Sequence, residues 1–102
     1  MDRRNIFDLP EIPLSEEFVT ILAENENIKI ERIVSCGQTT DWYDQEQTEF
    51  VVLLDGSAKI EFENKRVLSL EKGDTIKIAP HVKHRVCYTS SNPSCVWLCV
   101  FF

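Results

Sequence analysis

The chain alternates short apolar runs with polar breaks, and the runs predict strands rather than helices. Seven of them, four to seven residues long, are mostly rich in β-branched or aromatic residues, which favour strands. They span residues 17–23, 28–34, 50–54, 58–62, 67–70, 75–78 and 96–102. In one run, Ala58, Ile60 and Phe62 alternate with charged neighbours, which is typical of a strand with one buried face and one wet face. Because no segment after residue 24 keeps a helical period, we predict an all-β sandwich or barrel.

Turn-forming pairs separate the central runs. Asp55-Gly56, Asn64-Lys65 and Lys72-Gly73 stand at three successive breaks, and residues of these types accept the backbone angles of tight turns. The pattern therefore predicts successive hairpins.

The beginning of the chain lacks this pattern. Pro10 and Pro13 interrupt residues 1–16, which we predict to be an N-terminal arm with room for one helical turn at 15–17. The total length of 102 residues fits a single domain over 1–102 with one hydrophobic core.

The charge pattern excludes one class of partner. Eleven basic and seventeen acidic residues give a net charge of −6, and the only adjacent basic pairs are Arg3-Arg4 and Lys65-Arg66. Binding to a polyanion needs a contiguous positive surface, so we expect no nucleic acid partner.

The cysteine content and the hydrophobic runs indicate the compartment. Four cysteines in 102 residues are too few for a disulfide scaffold, and no secretion leader is recognisable. Cys95 and Cys99 lie roughly 13 Å apart along one predicted strand, beyond the ~7 Å that a disulfide spans. No apolar run approaches the ~20 residues that cross a bilayer. We therefore expect a cytoplasmic protein without disulfides and without a membrane partner.

Candidate chemistry is concentrated in the stretch GQTTDWYDQEQTEFVVLLDG, residues 37–56. Tyr43 and Gln45 are two residues apart, so on an extended strand both side chains leave by the same face. A short connection then brings Glu49 to the start of the next strand. The three side chains can therefore point into the same barrel mouth.

The spacing of these residues resembles the two motifs of the cupin superfamily. In the first motif, Gly37, Glu49 and Gly56 occupy the family's glycine, glutamate and glycine positions, while Tyr43 and Gln45 stand in the places of its two histidines.

The second motif of the family is matched in part. Gly73 and His84 occupy family positions, Pro80 is displaced by one place, His81 replaces a glycine, and Tyr88 replaces an asparagine. The resemblance, over roughly residues 37–88, implies a cupin-type double-stranded β-helix (jelly-roll) barrel, a pocket for a small-molecule ligand and a homodimer. In that fold, His84 would join Tyr43, Gln45 and Glu49 around one point.

Two interpretations of this site stay open. In the first, Glu49 and His84 are the main ligands of a divalent transition metal (Zn, Fe, Mn, Ni or Cu), with Gln45 as a weak ligand and Tyr43 as a catalytic hydrogen-bond donor or general acid. His81 would add a second imidazole, as in non-haem iron sites, unless it is an exposed turn residue. In the second, the same residues satisfy one another in a ligand-binding or sensory protein that is not an enzyme and holds no metal.

Overall fold

The computed structural model describes residues 3–102, and these residues form eight strands and no helix. The all-β prediction is confirmed. The strands are β1 (Phe18–Glu24), β2 (Lys29–Ser35), β3 (Glu49–Asp55), β4 (Ala58–Phe62), β5 (Val67–Leu70), β6 (Thr75–Ile78), β7 (His84–Thr89) and β8 (Cys95–Phe101).

The eight strands form two antiparallel sheets. One has the order β1-β2-β8-β3-β6 and the other the order β5-β4-β7. From β3 onward the chain passes between the sheets four times: from β3 to β4, from β5 to β6, from β6 to β7 and from β7 to β8. It therefore folds as a jelly roll, as the sequence predicted. The last strand, β8, pairs with β2 on one side and with β3 on the other, and so holds the larger sheet together.

The turns do not all make hairpins, and that part of the prediction is wrong. Of the three predicted turns, only Asn64-Lys65 joins two paired strands, β4 and β5. Asp55-Gly56 carries the chain from the larger sheet to the smaller one, and Lys72-Gly73 carries it back. Gly56 and Gly73 have φ angles of 86° and 91°, so the turns themselves are where the residues indicated.

The sequence pattern also missed β7. This strand, HRVCYT, carries a histidine, an arginine and a threonine, so its apolar alternation is weak. It is nevertheless fixed by pairing with β4 along its length.

The hydrophobic core lies between the two sheets. Its members come from both sheets and are at most 4% exposed. They are Val51, Leu53, Ala58, Ile60, Leu70, Ile78, Cys95, Trp97 and Cys99. The two buried cysteines are free thiols, as are Cys36 and Cys87, in agreement with the disulfide-free prediction. The cytoplasmic location stays a prediction.

The N-terminal segment packs on the outer face of the larger sheet. Residues 3–17 form no strand or helix, and the predicted helical turn at 15–17 is absent. Residues 1 and 2 of the predicted arm lie outside the described part of the chain. The guanidinium of Arg32, a 7% exposed residue, donates hydrogen bonds to the carbonyls of Ile6 (3.2 Å) and Asp8 (2.7 Å) and so fastens the arm.

Within residues 3–102, no helix is present that is long and apolar enough to span a bilayer.

Candidate functional site

A cavity of about 290 Å³ opens between the sheets at the end where β3 and β7 begin. The larger sheet supplies one wall through β2, β3 and β8. The smaller sheet supplies the other through β4 and β7, with the chain segment 40–45 beside them. Tyr43, Gln45, Glu49 and His84 all line this cavity, so the four side chains that the motifs singled out meet at one site.

The segment 40–45 reaches the site because it pairs with β7. The backbone N–H of Tyr43 donates to the His84 carbonyl at 2.7 Å, and that of His84 donates back at 3.1 Å. A further hydrogen bond joins the Thr40 N–H to the Val86 carbonyl at 3.0 Å. This segment therefore extends the smaller sheet past β7 and carries Tyr43 and Gln45 to the rim of the cavity.

A polar network centres on the carboxylate of Glu49, the first residue of β3. The side-chain amide of Gln45 donates a hydrogen bond to Glu49 Oε1 at 3.0 Å. His84 Nε2 lies 3.4 Å from the same oxygen, and the side chains of His84 and Glu49 are only 4% and 11% exposed. The Glu49 carboxylate thus interacts with both an amide and an imidazole and is largely shielded from bulk water.

The hydrogen bonds of His84 fix which ring nitrogen exchanges a proton. Nδ1 lies 2.8 Å from the carbonyl oxygen of Val82. Because a carbonyl only accepts, Nδ1 carries a hydrogen, and Nε2 beside Glu49 is the nitrogen that gains or loses one. Burial lowers the pKa of His84, but the hydrogen bond with Glu49, the bond to Val82 and the charge of Glu49 together outweigh it and raise the pKa above 6.5.

Tyr43 keeps its phenolic proton. Burial, followed by the negative charges of Glu17 and Glu49, raises the pKa of Tyr43 above its usual value of 10.0. Its ring centroid is 5.8 Å from that of His84, so a phenol donor and an imidazole stand side by side in the cavity.

Sequence reasoning missed two further carboxylates and a thiol in this cavity. Glu17, Glu31 and Cys99 also line it. In β2, Ile30 and Val34 lie on the same face as Arg32, which is the face away from the cavity, so their apolar character suggests the wrong inner face. Ile33 packs against the core. Because Glu31 is two residues from Ile33, it lies on the same inner face.

His81 does not line this cavity. Its side chain is 65% exposed, its backbone φ is 62°, and its Nδ1 lies 2.8 Å from Asp44 Oδ1. This is the exposed turn position that the sequence left open as the alternative to a metal ligand.

The donor set does not fit a resident transition metal. Within residues 3–102, no group of three or more His, Cys, Asp or Glu side chains is arranged to hold an ion. Catalytic zinc sites use three protein ligands and non-haem iron sites use two histidines and a carboxylate, whereas the imidazole of His84 here pairs with a single carboxylate, that of Glu49. Gln45 is oriented as a hydrogen-bond donor to that carboxylate.

Comparison with known proteins points to one family. A family model described as "Cupin domain" matches residues 33–101. A Ralstonia eutropha protein of solved structure, provisionally named a mannose-6-phosphate isomerase, is 34% identical, with a TM-score of 0.92 over 99% of this chain and 97% of that chain.

Two more distant structures share the fold. A cupin superfamily protein from Desulfitobacterium hafniense is 16% identical, with a TM-score of 0.84 over 100% of this chain and 92% of that one. An RmlC-like cupin from Desulfovibrio desulfuricans is 17% identical, with a TM-score of 0.78 over 99% and 96% of the two chains. A search of curated proteins finds no significant match.

Proposed function

Because the chain belongs to the cupin family, we propose that it binds a small molecule between its sheets and that His84, with Glu49, exchanges a proton with that molecule. One observation carries the proposal: the Nδ1 bond to Val82 leaves Nε2 as the exchanging nitrogen, inside the cavity and beside a carboxylate. A buried imidazole that is oriented in this way is suited to general acid–base chemistry.

Each polar residue of the site has a role in this proposal. His84 Nε2 takes a proton from the bound molecule or returns it, and Glu49 stabilises the imidazolium that forms. Tyr43, still protonated, donates a hydrogen bond to an oxygen of the ligand. Gln45 positions Glu49 through its amide. Isomerisation is one class of reaction that requires such a proton transfer, and the Ralstonia relative carries an isomerase name.

The alternative is a binding or sensory protein that uses the same pocket without turnover. It is favoured by the closed network, in which Gln45 and His84 already satisfy Glu49. Both versions share the pocket and its ligand.

The proton role is tested by NMR titration of the histidine rings, of which the chain has only two. His84 should carry its hydrogen on Nδ1 when neutral, and its pKa should fall in Glu49→Gln because the charged partner is lost. Glu46→Gln, a change on the exposed connection before β3, is the matched control and should leave His84 unchanged. A neutral His84 with its hydrogen on Nε2, or the same titration in all three proteins, would refute the role.

The metal content of the purified protein tests whether the site holds a transition metal, which was the first interpretation of the sequence. Protein purified without added metal should contain far less than one equivalent of Zn, Fe, Mn, Ni or Cu. A full equivalent in the parent that is lost in Glu49→Gln and His84→Ala, but kept in Tyr43→Phe, would overturn the metal-free site in favour of a metal centre held by Gln45, Glu49 and His84.

We also propose that the protein forms a homodimer along β1. This strand is the edge of the larger sheet, and Phe18, Val19 and Ile21 are 44–47% exposed on it. An apolar edge strand favours pairing with a second copy. Sedimentation should give a dimer that Ile21→Lys weakens, and a monomeric parent at micromolar concentration would refute the proposal.

A further inference from the structure

The charges that line the cavity are unbalanced. Among residues 3–102, the lining holds three carboxylates (Glu17, Glu31 and Glu49), one ammonium (Lys29) and one imidazole (His84). None of the arginines in this part of the chain lines the cavity.

Both positive groups are already engaged. Lys29 Nζ lies 3.5 Å from Glu31 Oε2 and 4.9 Å from the centroid of the Phe101 ring. His84 Nε2 lies 3.4 Å from Glu49 Oε1. A negatively charged ligand would therefore have to compete with carboxylates of the protein for each cation.

The negative charges of the three carboxylates are felt at the same part of the cavity, around Cys99. Burial raises the pKa of the Cys99 thiol well above its ordinary value, and the charges of Glu49, Glu31 and Glu17 raise it further. Cys99 lies on β8, which pairs with both β2 and β3, so the carboxylates converge on this strand from several elements.

Glu17 is the carboxylate that lacks a partner. Among residues 3–102 it takes part in no ion pair and no side-chain hydrogen bond, while Glu31 has only Lys29. Burial, with Glu31 as a second cause, raises the pKa of Glu17, as expected for a partly desolvated carboxylate next to a like charge. A ligand cation would relieve this repulsion.

Much of the remaining wall is apolar and is formed by Ile33, Val51, Val86 and Trp97, with Ser35 and Thr40 as polar members. The cavity thus offers a negative region and a hydrophobic surface within about 290 Å³, a volume that suits a molecule of modest size.

We propose that the pocket selects a small apolar amine, with its ammonium group among Glu17, Glu31 and Glu49, and excludes phosphate esters and carboxylates. This inference rests on the proposed function and adds the charge of the ligand. The name of the Ralstonia protein indicates a ligand with a phosphate group, and the inference excludes such a ligand for this chain. A phosphate group is bound by arginine or lysine donors that are free to reach it. Here Arg32 faces the N-terminal arm instead.

The test uses four probes that share a phenyl group and differ in charge: 2-phenylethylamine, 2-phenylethanol, 3-phenylpropionate and phenyl phosphate. Binding at pH 7 is followed by protein NMR, with the resonances of Cys99 and His84 as reporters of the cavity. We expect the amine to bind at least tenfold more tightly than the alcohol, and the two anions to leave the reporters unshifted.

Charge-removing variants locate the ammonium. Glu17→Gln and Glu31→Gln should each weaken amine binding several-fold, whereas Glu71→Gln, in an exposed turn away from the cavity, should not. Tighter binding of an anion in the cavity would overturn the inference while leaving the pocket proposal intact. Absence of amine binding would also overturn the inference about the charge of the ligand. The proposed function would still be tested separately by the NMR titration of His84.

Discussion

Replacing Gly56 by alanine should destabilise the fold much more than the same change at Gly73. Both glycines have positive φ, of 86° and 91°, so both substitutions force an L-residue into a left-handed conformation. At Gly56 a new Cβ would also lie 2.8 Å from Ser90 Oγ and 2.9 Å from both the Cα and the Sγ of Cys95. At Gly73 it would meet nothing within 4 Å.

The two changes together separate strain from crowding. The left-handed conformation costs an alanine roughly 1–2 kcal/mol, which both variants share. Crowding against a backbone atom of β8, which cannot rotate away as a side chain does, adds about 1–3 kcal/mol at Gly56 alone. Restriction of the unfolded chain is the same in both variants and cancels in the comparison. The expected difference in unfolding free energy between Gly56→Ala and Gly73→Ala is therefore about 1–3 kcal/mol.

Urea denaturation at 25 °C, followed by tryptophan fluorescence, to which the buried Trp97 contributes, measures this difference when both variants keep the slope of the parent. The reasoning would be refuted if Gly56→Ala came within about 0.5 kcal/mol of Gly73→Ala, the scatter of a neutral surface change. In that case the turn between β3 and β4 would not be packed on β8 as tightly as described.

Three other expectations follow from the same structure. The pKa of His84 is raised in the fold, so its contribution to stability should be complete below pH 6.5 and should be lost as the pH rises through the pKa of the folded state. Urea midpoints measured across this pH range should show the loss. Glu49→Gln should remove this pH dependence. A thiol reagent should modify Cys95 and Cys99 only after unfolding, and without reductant all four cysteines should then react; a smaller number would contradict the free thiols. Arg32→Met should cost about 1–3 kcal/mol and speed proteolysis of the arm, because carbonyls of the arm lose their donor; unchanged proteolysis would show that other contacts hold the arm.

The sequence predicted most strands because their alternation is local. The bounds of β4, β5 and β6 are those the pattern indicated. The strand partners were not predictable in the same way, because a turn at Asp55-Gly56 is compatible with a hairpin or with a crossing between sheets. Only the packing of the whole chain decides between the two.

The site was predictable where spacing carried the information. Tyr43, Gln45, Glu49 and His84 lie in one cavity. This was predictable because their spacing matches that of the cupin motifs, whose residues come together in the folded barrel. Glu17 could not be found in this way, since it lies outside both motifs and reaches the cavity only through the pairing of β1 with β2.

The pairing of segment 40–45 with β7 bears on how a ligand enters and leaves. The backbone hydrogen bonds of Thr40 and Tyr43 to β7 hold this segment in place, with one bond from the His81 N–H to the Gln45 carbonyl and one from the Gln45 side chain to Glu49. Peeling it away breaks a few hydrogen bonds and leaves the core between the sheets intact, so the opening free energy is well below that of global unfolding. Amide hydrogen exchange at Tyr43 should accordingly be much faster than in β8, and a ligand that contacts both Tyr43 and His84 should slow it. A bound ligand would then stabilise the closed position of the segment through which it enters the cavity.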